Sequence, residues 1–126
     1  MRLLVVLTII FVAILSFGFW TNHLLQDATD EMVHKITQIE QALEESQWEQ
    51  ALANTDELEE TWKEKTKWWP SFLDHQEIDN IEFTMTKTRE YIAKENTPLS
   101  WAHLAELKLM IKHVPKKESL TIENIF

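Results

Sequence analysis

The chain has no cysteine, one glycine and three prolines among its 126 residues, and 21 acidic residues against 12 basic ones. Without cysteine it can form neither a disulfide nor a lipid-modified cysteine anchor. The single glycine is Gly18, so the rest of the chain lacks glycine-rich phosphate loops and the usual residue of tight hairpin turns. The net charge of −9 opposes binding to nucleic acid or to anionic lipid headgroups. These absences favour an all-α protein that does not bind nucleotides or nucleic acid.

One apolar run without any charge, Leu3–Trp20, occupies the N-terminus (LLVVLTIIFVAILSFGFW). A membrane-spanning helix needs about 20 apolar residues, with about 17 as the lower limit. Arg2 precedes the run and several acidic residues follow it, an asymmetry that predicts a cytoplasmic N-terminus. We therefore expect a single-pass membrane protein, in contact with the lipid bilayer through residues 3–20.

This interpretation divides the chain into a transmembrane anchor over residues 1–22 and an extracytoplasmic domain over residues 23–126. The alternative is a cleaved signal peptide, because Ser16 and Gly18 are small and suitably spaced. Bulky aromatic residues crowd that site, and the apolar run is longer than a usual signal core. We therefore expect the anchor to be retained.

Beyond the anchor, apolar residues recur at spacings of three and four, which predicts α-helices. The four predicted inward stripes are Leu25, Ala28, Met32, Ile36, Ile39 and Leu43, then Trp48, Leu52, Thr55, Leu58, Trp62 and Trp69, then Ile78, Ile81, Met85, Thr88 and Ile92, and then Trp101, Leu104, Leu107, Ile111 and Val114. No proline or glycine separates the first stripe from the anchor, so one long helix is expected to lie half in lipid and half in water. A capping box at Ser46–Glu49 should start the second helix, and Thr97-Pro98 should start the fourth, with Thr97 as its N-cap. Pro115 should end it. The predicted helices cover about 22–45, 47–68, 71–95 and 97–114, followed by an apolar tail over 120–126 that folds back onto the other helices.

Short connections between these helices predict an antiparallel up-down four-helix bundle. The first helix should run away from the membrane and the second should return, which brings the loop over residues 68–73 to the lipid surface. We expect an aromatic collar at the membrane interface, formed by Trp20, Trp68, Trp69 and Phe72. A compatible alternative is that these rings close the base of the bundle.

A polar layer near the membrane end is also predicted, with His75 and Asp79 on or beside the inward stripe of the third helix. Glu106 and His113, on the fourth helix, complete the predicted cluster. Its expected role is a hydrogen-bond network that fixes helix register, for instance between Asp79 and an indole or imidazole N–H. Partner docking and ligand binding are the alternatives.

Two further pairs, Glu31-x-x-His34 and His103-x-x-Glu106, resemble part of a two-metal bundle site. The second pair runs in the reverse order and the two should lie at different heights, so we predict no metal site. No nucleophile motif occurs either, and we expect no catalytic residue, no cofactor and no enzymatic activity.

Several landmarks resemble one family, the uncharacterised domain of unknown function 4363. The residues that carry the resemblance are Trp48-Glu-x-Ala51, Trp62, Trp68, the run from Asp74 to Ile81, Ala105-Glu106-Leu107-Lys108, His113-Val-Pro115 and Asn124-Ile125-Phe126. The resemblance extends over essentially the whole chain. It implies a small, N-terminally anchored helical protein of spore-forming Gram-positive bacteria, of unknown activity. Members of the family are sometimes encoded beside YetF-type membrane proteins, which hints at such a protein as a partner.

The first functional hypothesis is a structural or interaction module that binds another membrane or envelope protein. The alternative is a ligand- or metal-sensing domain that uses the polar layer of His75, Asp79 and His113. The discriminating experiments are co-purification from detergent for the first and metal analysis with thermal melting for the second.

Overall fold

The computed structural model describes residues 1–71 and 73–125, and the side chains of residues 1–70 and 73–115. This part of the chain contains four α-helices and no β-strand. The helices are α1 (Arg2–Glu44), α2 (Trp48–Lys65), α3 (His75–Ala93) and α4 (Thr97–Ile125), with a short 3-10 turn at Trp69–Ser71. The predicted all-α class is confirmed.

The first helix is a single uninterrupted element, as the sequence predicted. α1 has 43 residues, which at a rise of 1.5 Å per residue makes it about 64 Å long. Every buried residue of α1 lies in its second half, from Leu25 onward. The first half is a rod of apolar side chains outside the bundle.

Ion pairs between α1 and α2 show that these helices are antiparallel. Lys35 Nζ lies 3.9 Å from Glu57 Oε2, and Lys65 Nζ lies 3.5 Å from Glu31 Oε2. The later residue of α2 therefore pairs with the earlier residue of α1. The end of α2, and the loop that follows it, lie at the end of the bundle nearest the apolar rod.

The third helix reverses direction again beside α2. The indole N–H of Trp62 donates to Glu82 Oε1 over 3.0 Å, and Arg89 Nε donates to Asp56 Oδ1 over 2.7 Å. This hydrogen bond with Asp56 raises the pKa of Arg89 above its ordinary value, and the charge of Asp56 adds to the effect.

The fourth helix closes the arrangement between α3 and α1. The hydroxyl of Thr84 lies 3.6 Å from the sulfur of Met110, and Lys108 Nζ lies 2.9 Å from Glu40 Oε1. The rings of Tyr91 and His103 stack with their centroids 5.1 Å apart. The up-down four-helix bundle is therefore confirmed.

The predicted apolar stripes form the core almost residue for residue. In α1, α3 and α4 all but one of the predicted inward residues are buried, and the exception, Trp101, is partly buried. On α2, Trp48 and Leu52 are also only partly buried. The apolar side chains of the described residues that are exposed to solvent by 1% or less are Leu25, Met32, Ile36, Ile39, Ala51, Leu58, Trp69, Ile81, Ile92, Leu104, Leu107, Ile111 and Val114.

Two helix ends use left-handed residues where glycine is usual. Ser46 has φ 56° and Glu95 has φ 55°. In each case the backbone N–H of the next residue donates to a carbonyl in the last turn of the helix. Gln47 N donates to Ala42 O over 2.8 Å, and Asn96 N donates to Tyr91 O over 2.9 Å. These are Schellman motifs. The predicted capping box is therefore wrong: Ser46 ends α1, and the N-cap of α2 is Gln47, which makes no side-chain cap hydrogen bond.

Ser46→Gly and Glu95→Gly are each expected to raise the free energy of unfolding. A non-glycine residue in the left-handed region destabilises the folded state by about 1–2 kcal/mol. Glycine removes this strain, but it also raises the conformational entropy of the unfolded chain, which offsets part of the gain. We expect a gain of about 0.5–1 kcal/mol per site, measured by urea unfolding in detergent. Gln47→Gly is the matched control, because Gln47 has φ −89°, and a comparable gain there would contradict the explanation.

Asparagine and aspartate cap the other two helices. Asp74 accepts a hydrogen bond from Gln76 N at 3.2 Å, and Asn96 Oδ1 accepts one from Leu99 N at 3.1 Å. The predicted start of the third helix near residue 71 is therefore wrong, because the chain first makes the 3-10 turn and is then capped at Asp74. Thr97, the predicted N-cap of the fourth helix, is instead its first residue.

The predicted end of the fourth helix at Val114 is also wrong. Pro115 lies inside α4, whose backbone continues to Ile125. Proline removes one backbone hydrogen bond and crowds the preceding turn, at a cost of about 3 kcal/mol. The residues before and after Pro115 are helical, so the helix continues despite this energetic cost. The predicted apolar tail over 120–126 begins within this helix, and Phe126 and the side chains beyond Pro115 lie outside the described residues.

Candidate functional site at the base and outer faces of the bundle

The first half of α1 is apolar and lies outside the bundle. Within the described residues, α1 is the one helix that is long and apolar enough to cross a membrane, judged by length and composition, and its most apolar stretch has no buried residue. Water disfavours so large an apolar surface, and monomeric soluble proteins rarely expose one. This half of α1 therefore requires a cover that the bundle does not provide.

The paired tryptophans of the α2–α3 loop lie at the end of the bundle nearest the apolar rod. Trp20 is 59% exposed, and Trp68 is 39% exposed. Trp69 is fully buried, so its assignment to the collar of interface residues is wrong. Contact of Trp20 and Trp68 with lipid stays a prediction, and Phe72 lies outside the described residues.

Trp69 instead closes the base of the core. Its ring meets the ring of Trp62 edge to face, with the centroids 5.4 Å apart and the planes at 79°. Trp62 is in turn held by its hydrogen bond to Glu82. The sequence predicted an aspartate, Asp79, as one example of a partner for an indole N–H. The carboxylate that binds it is almost one helical turn further along α3.

The predicted polar layer does not form inside the bundle. His75, Asp79, Glu106 and His113 are all exposed. Ile78 fixes the inward face of α3, and Asp79 follows it by one residue, which turns it about 100° away from the core. The interpretation of this cluster as a buried network is therefore wrong.

One of the four predicted residues does line a groove between α3 and α4. The groove has a volume of about 240 Å³ and is lined by Asp74, Gln76, Glu77, Asn80, Ile81, Met110 and His113. His75, Asp79 and Glu106 are not among its lining residues. Glu106 lies further along α4, where its Oε2 is 3.4 Å from Nδ1 of His103. No pattern in the sequence indicated that a groove would include Asp74, Asn80 and Met110.

Metal-ligating residues are dispersed over the described part of the bundle. No group of three or more histidine, cysteine, aspartate or glutamate side chains that could hold a metal ion occurs there. The two predicted pairs are separate: Glu31 binds Lys65 of α2, whereas Glu106 lies beside His103 on α4. The sensing hypothesis stays a prediction.

The outer faces of the helices differ in character. Seven of the nine exposed residues of α2 are charged, whereas only Glu106 and Lys112 are charged among the nine exposed residues of α4 up to Pro115. Among the described side chains of α3 and α4, three large apolar residues point outward: Phe83 is 62% exposed, Leu109 is 70% exposed and Leu99 is 39% exposed. These faces are the candidate surfaces for protein contacts.

The fold and these surfaces define a class of protein: a small all-α bundle whose first helix extends into an exposed apolar rod. The chain belongs to the family described as Domain of unknown function (DUF4363), whose model matches residues 19–125. The match covers the whole bundle and begins near the end of the apolar run, so residues 1–18 lie outside it. No curated protein and no solved structure matches the chain.

Proposed function

We propose that this protein is anchored in the bacterial cell membrane by the first half of α1, with its bundle outside the cytoplasm. The bundle serves as an interaction module for another membrane or envelope protein. The observation that carries the proposal is the exposed apolar rod, which continues without a break into a folded bundle. A lipid bilayer is the cover that fits its length and composition.

Charges on either side of the rod support the proposed orientation. Arg2 lies before it, and Asp27, Asp30 and Glu31 lie after it. Basic residues are retained preferentially on the cytoplasmic side of a membrane. The N-terminus is therefore cytoplasmic in this proposal, and the bundle extends away from the outer surface of the membrane.

The outward apolar residues support the interaction role. Aromatic side chains, phenylalanine among them, are enriched at the centres of protein–protein interfaces relative to the rest of the surface. Phe83 projects from α3 at a position remote from the core stripe of that helix, and it is 62% exposed. In this proposal Phe83 contacts the partner, a protein held at the same membrane.

A photo-crosslinking amino acid at position 83 of the full chain, in intact membranes, tests the proposal. Activation should give one discrete adduct with another membrane protein. The same amino acid at Glu60, an exposed position on the charged face of α2, should give none. In a second chain the crosslinking amino acid replaces Thr86 instead of Phe83. If Phe83→Ser in that chain abolishes the adduct, the phenylalanine makes the contact. A chain that gives no adduct from α3, or an equal pattern from α2, would contradict the proposal.

A further inference from the structure

The outer face of α4 has the spacing of a helix-packing seam. Its exposed residues include Pro98, Ala102, Ala105 and Leu109, which follow one another at intervals of four, three and four. This alternation is the repeat with which one helix packs along another. Leu109, the last residue of this series, is 70% exposed, and alanine at the preceding two positions permits close approach of a second helix.

The two sides of this seam carry opposite charges. Lys108 and Lys112 lie on the side that faces α1, since Lys108 bonds to Glu40 of that helix. Each residue of a helix is rotated by about 100° from the one before it. This rotation places Glu106 and His113 on the opposite side of the seam, which faces α3. The face therefore has a basic flank and an acidic or neutral flank on either side of its apolar centre.

This charge pattern distinguishes the two ways in which a second copy could pack on α4. When two identical helices pair in parallel about a common twofold axis, the flank on one side of the first helix meets the opposite flank of the second. Glu106 then faces the lysine flank of the other copy. Antiparallel pairing places glutamate opposite glutamate and lysine opposite lysine, and like charges at close range are unfavourable.

The membrane anchor selects the same orientation independently. Two copies inserted in one bilayer with the same topology have parallel α1 helices, and α4 runs antiparallel to α1 in each. The α4 helices of neighbouring copies are therefore parallel to each other. The seam is short, and anchoring in a shared membrane raises the effective concentration enough for a small interface to form.

We infer that two copies of this chain pair side by side in the membrane, in parallel, through the outer face of α4. The inference rests on the anchoring part of the proposed function. It assigns to α4 a surface that is separate from the partner-binding surface on α3.

Cysteine cross-linking tests this pairing, because the natural chain has no cysteine. The full chain carrying Ala102→Cys or Leu109→Cys is reconstituted in vesicles at a low ratio of protein to lipid and mildly oxidised. A disulfide requires Cα atoms within about 7 Å of each other. In parallel pairing each cysteine meets its counterpart at both heights. Both variants should therefore migrate at twice the 15.0 kDa mass of the chain.

Ala53→Cys is the matched control. Ala53 is also an exposed alanine, it lies on α2 at about the height of Ala105, and it should remain monomeric. A Glu106→Lys change added to Leu109→Cys should lower the yield of dimer. Dimers at all three cysteine positions, or at none, would overturn the inference. So would a disulfide between Ala102→Cys and Leu109→Cys chains without either homodimer, which would indicate antiparallel pairing.

Alkaline extraction of the same vesicles separates this inference from the proposed function. Chains that stay in the lipid but do not form α4 dimers contradict the pairing alone. Chains that are released from the lipid contradict the anchoring and, with it, the pairing.

Discussion

Trp69→Ala is expected to lower the free energy of unfolding of the bundle by about 3–5 kcal/mol, the usual cost of removing a fully buried tryptophan. Trp69 is fully buried at the base of the core, and its edge-to-face contact with Trp62 contributes about 0.5–1.5 kcal/mol beyond the apolar area that it covers. The cavity would open at the base of the core, beside the ring of Trp62. Near-UV circular dichroism during urea unfolding in detergent measures the loss, because it reports on packed tryptophans rather than on the helix content of the apolar half of α1.

Trp68→Ala provides the comparison within the same turn. Trp68 is 39% exposed, and truncation of a partly exposed side chain should cost less than about 1 kcal/mol in detergent. Equal losses for the two tryptophans would contradict the assignment of Trp69 to the core. A larger loss of unfolding free energy for Trp68→Ala would instead assign Trp68 to the core.

The double substitution Ile10→Arg, Ile14→Arg should prevent stable insertion of the anchor. Both side chains are on one face of the first half of α1 and are about half exposed. Each arginine at the centre of a membrane helix costs about 2.5–3.5 kcal/mol on insertion scales, so the pair costs about 5–7 kcal/mol. The substituted chain should appear in the supernatant after alkaline extraction of membranes, whereas the natural chain should stay in the pellet.

Ile10→Leu, Ile14→Leu is the conservative control and should leave the chain in the membrane. Circular dichroism of the released arginine variant should still show a folded bundle, since neither position contacts the core. If both double variants were extracted equally, or both retained equally, the apolar rod would not be what holds the chain in the membrane.

The fold could be predicted because the apolar stripes are long and regular. Leu25, Met32, Ile36 and Ile39 repeat at helical spacing, and all four are fully buried. Such a stripe must find a partner face in water, and short connections leave antiparallel neighbours as the simplest arrangement. The continuity of α1 likewise follows from the lack of any proline or glycine between the apolar run and its buried half.

The predictions that are wrong concern positions where one residue of helical register or one local hydrogen bond decides the structure. Asp79 is exposed because Ile78, its neighbour, occupies the inward position. Ser46 adopts φ 56° and ends a helix rather than capping the next, which its position in a capping-box pattern could not reveal. Pro115 lies inside α4 although proline usually ends a helix.

The candidate surfaces were harder to predict than the core. The groove between α3 and α4 combines Asp74 and Asn80 from one helix region with Met110 and His113 from another. No spacing in the sequence links these residues, because their proximity depends on how the two helices pack. The outer face of α4 became apparent only when exposure showed that Ala102, Ala105 and Leu109 are directed away from the core.

The depth of two labelled positions relative to the bilayer tests the central claim most directly. Lys67→Cys lies in the α2–α3 loop and Lys94→Cys at the opposite end of α3, whose 19 residues separate the two ends by about 28 Å. In vesicles containing headgroup-labelled quencher lipids, a fluorophore at position 67 should be strongly quenched and one at position 94 should not. Stronger quenching at position 94, or equal quenching at both, would contradict an anchor in the first half of α1 with the tryptophan loop beside the lipid.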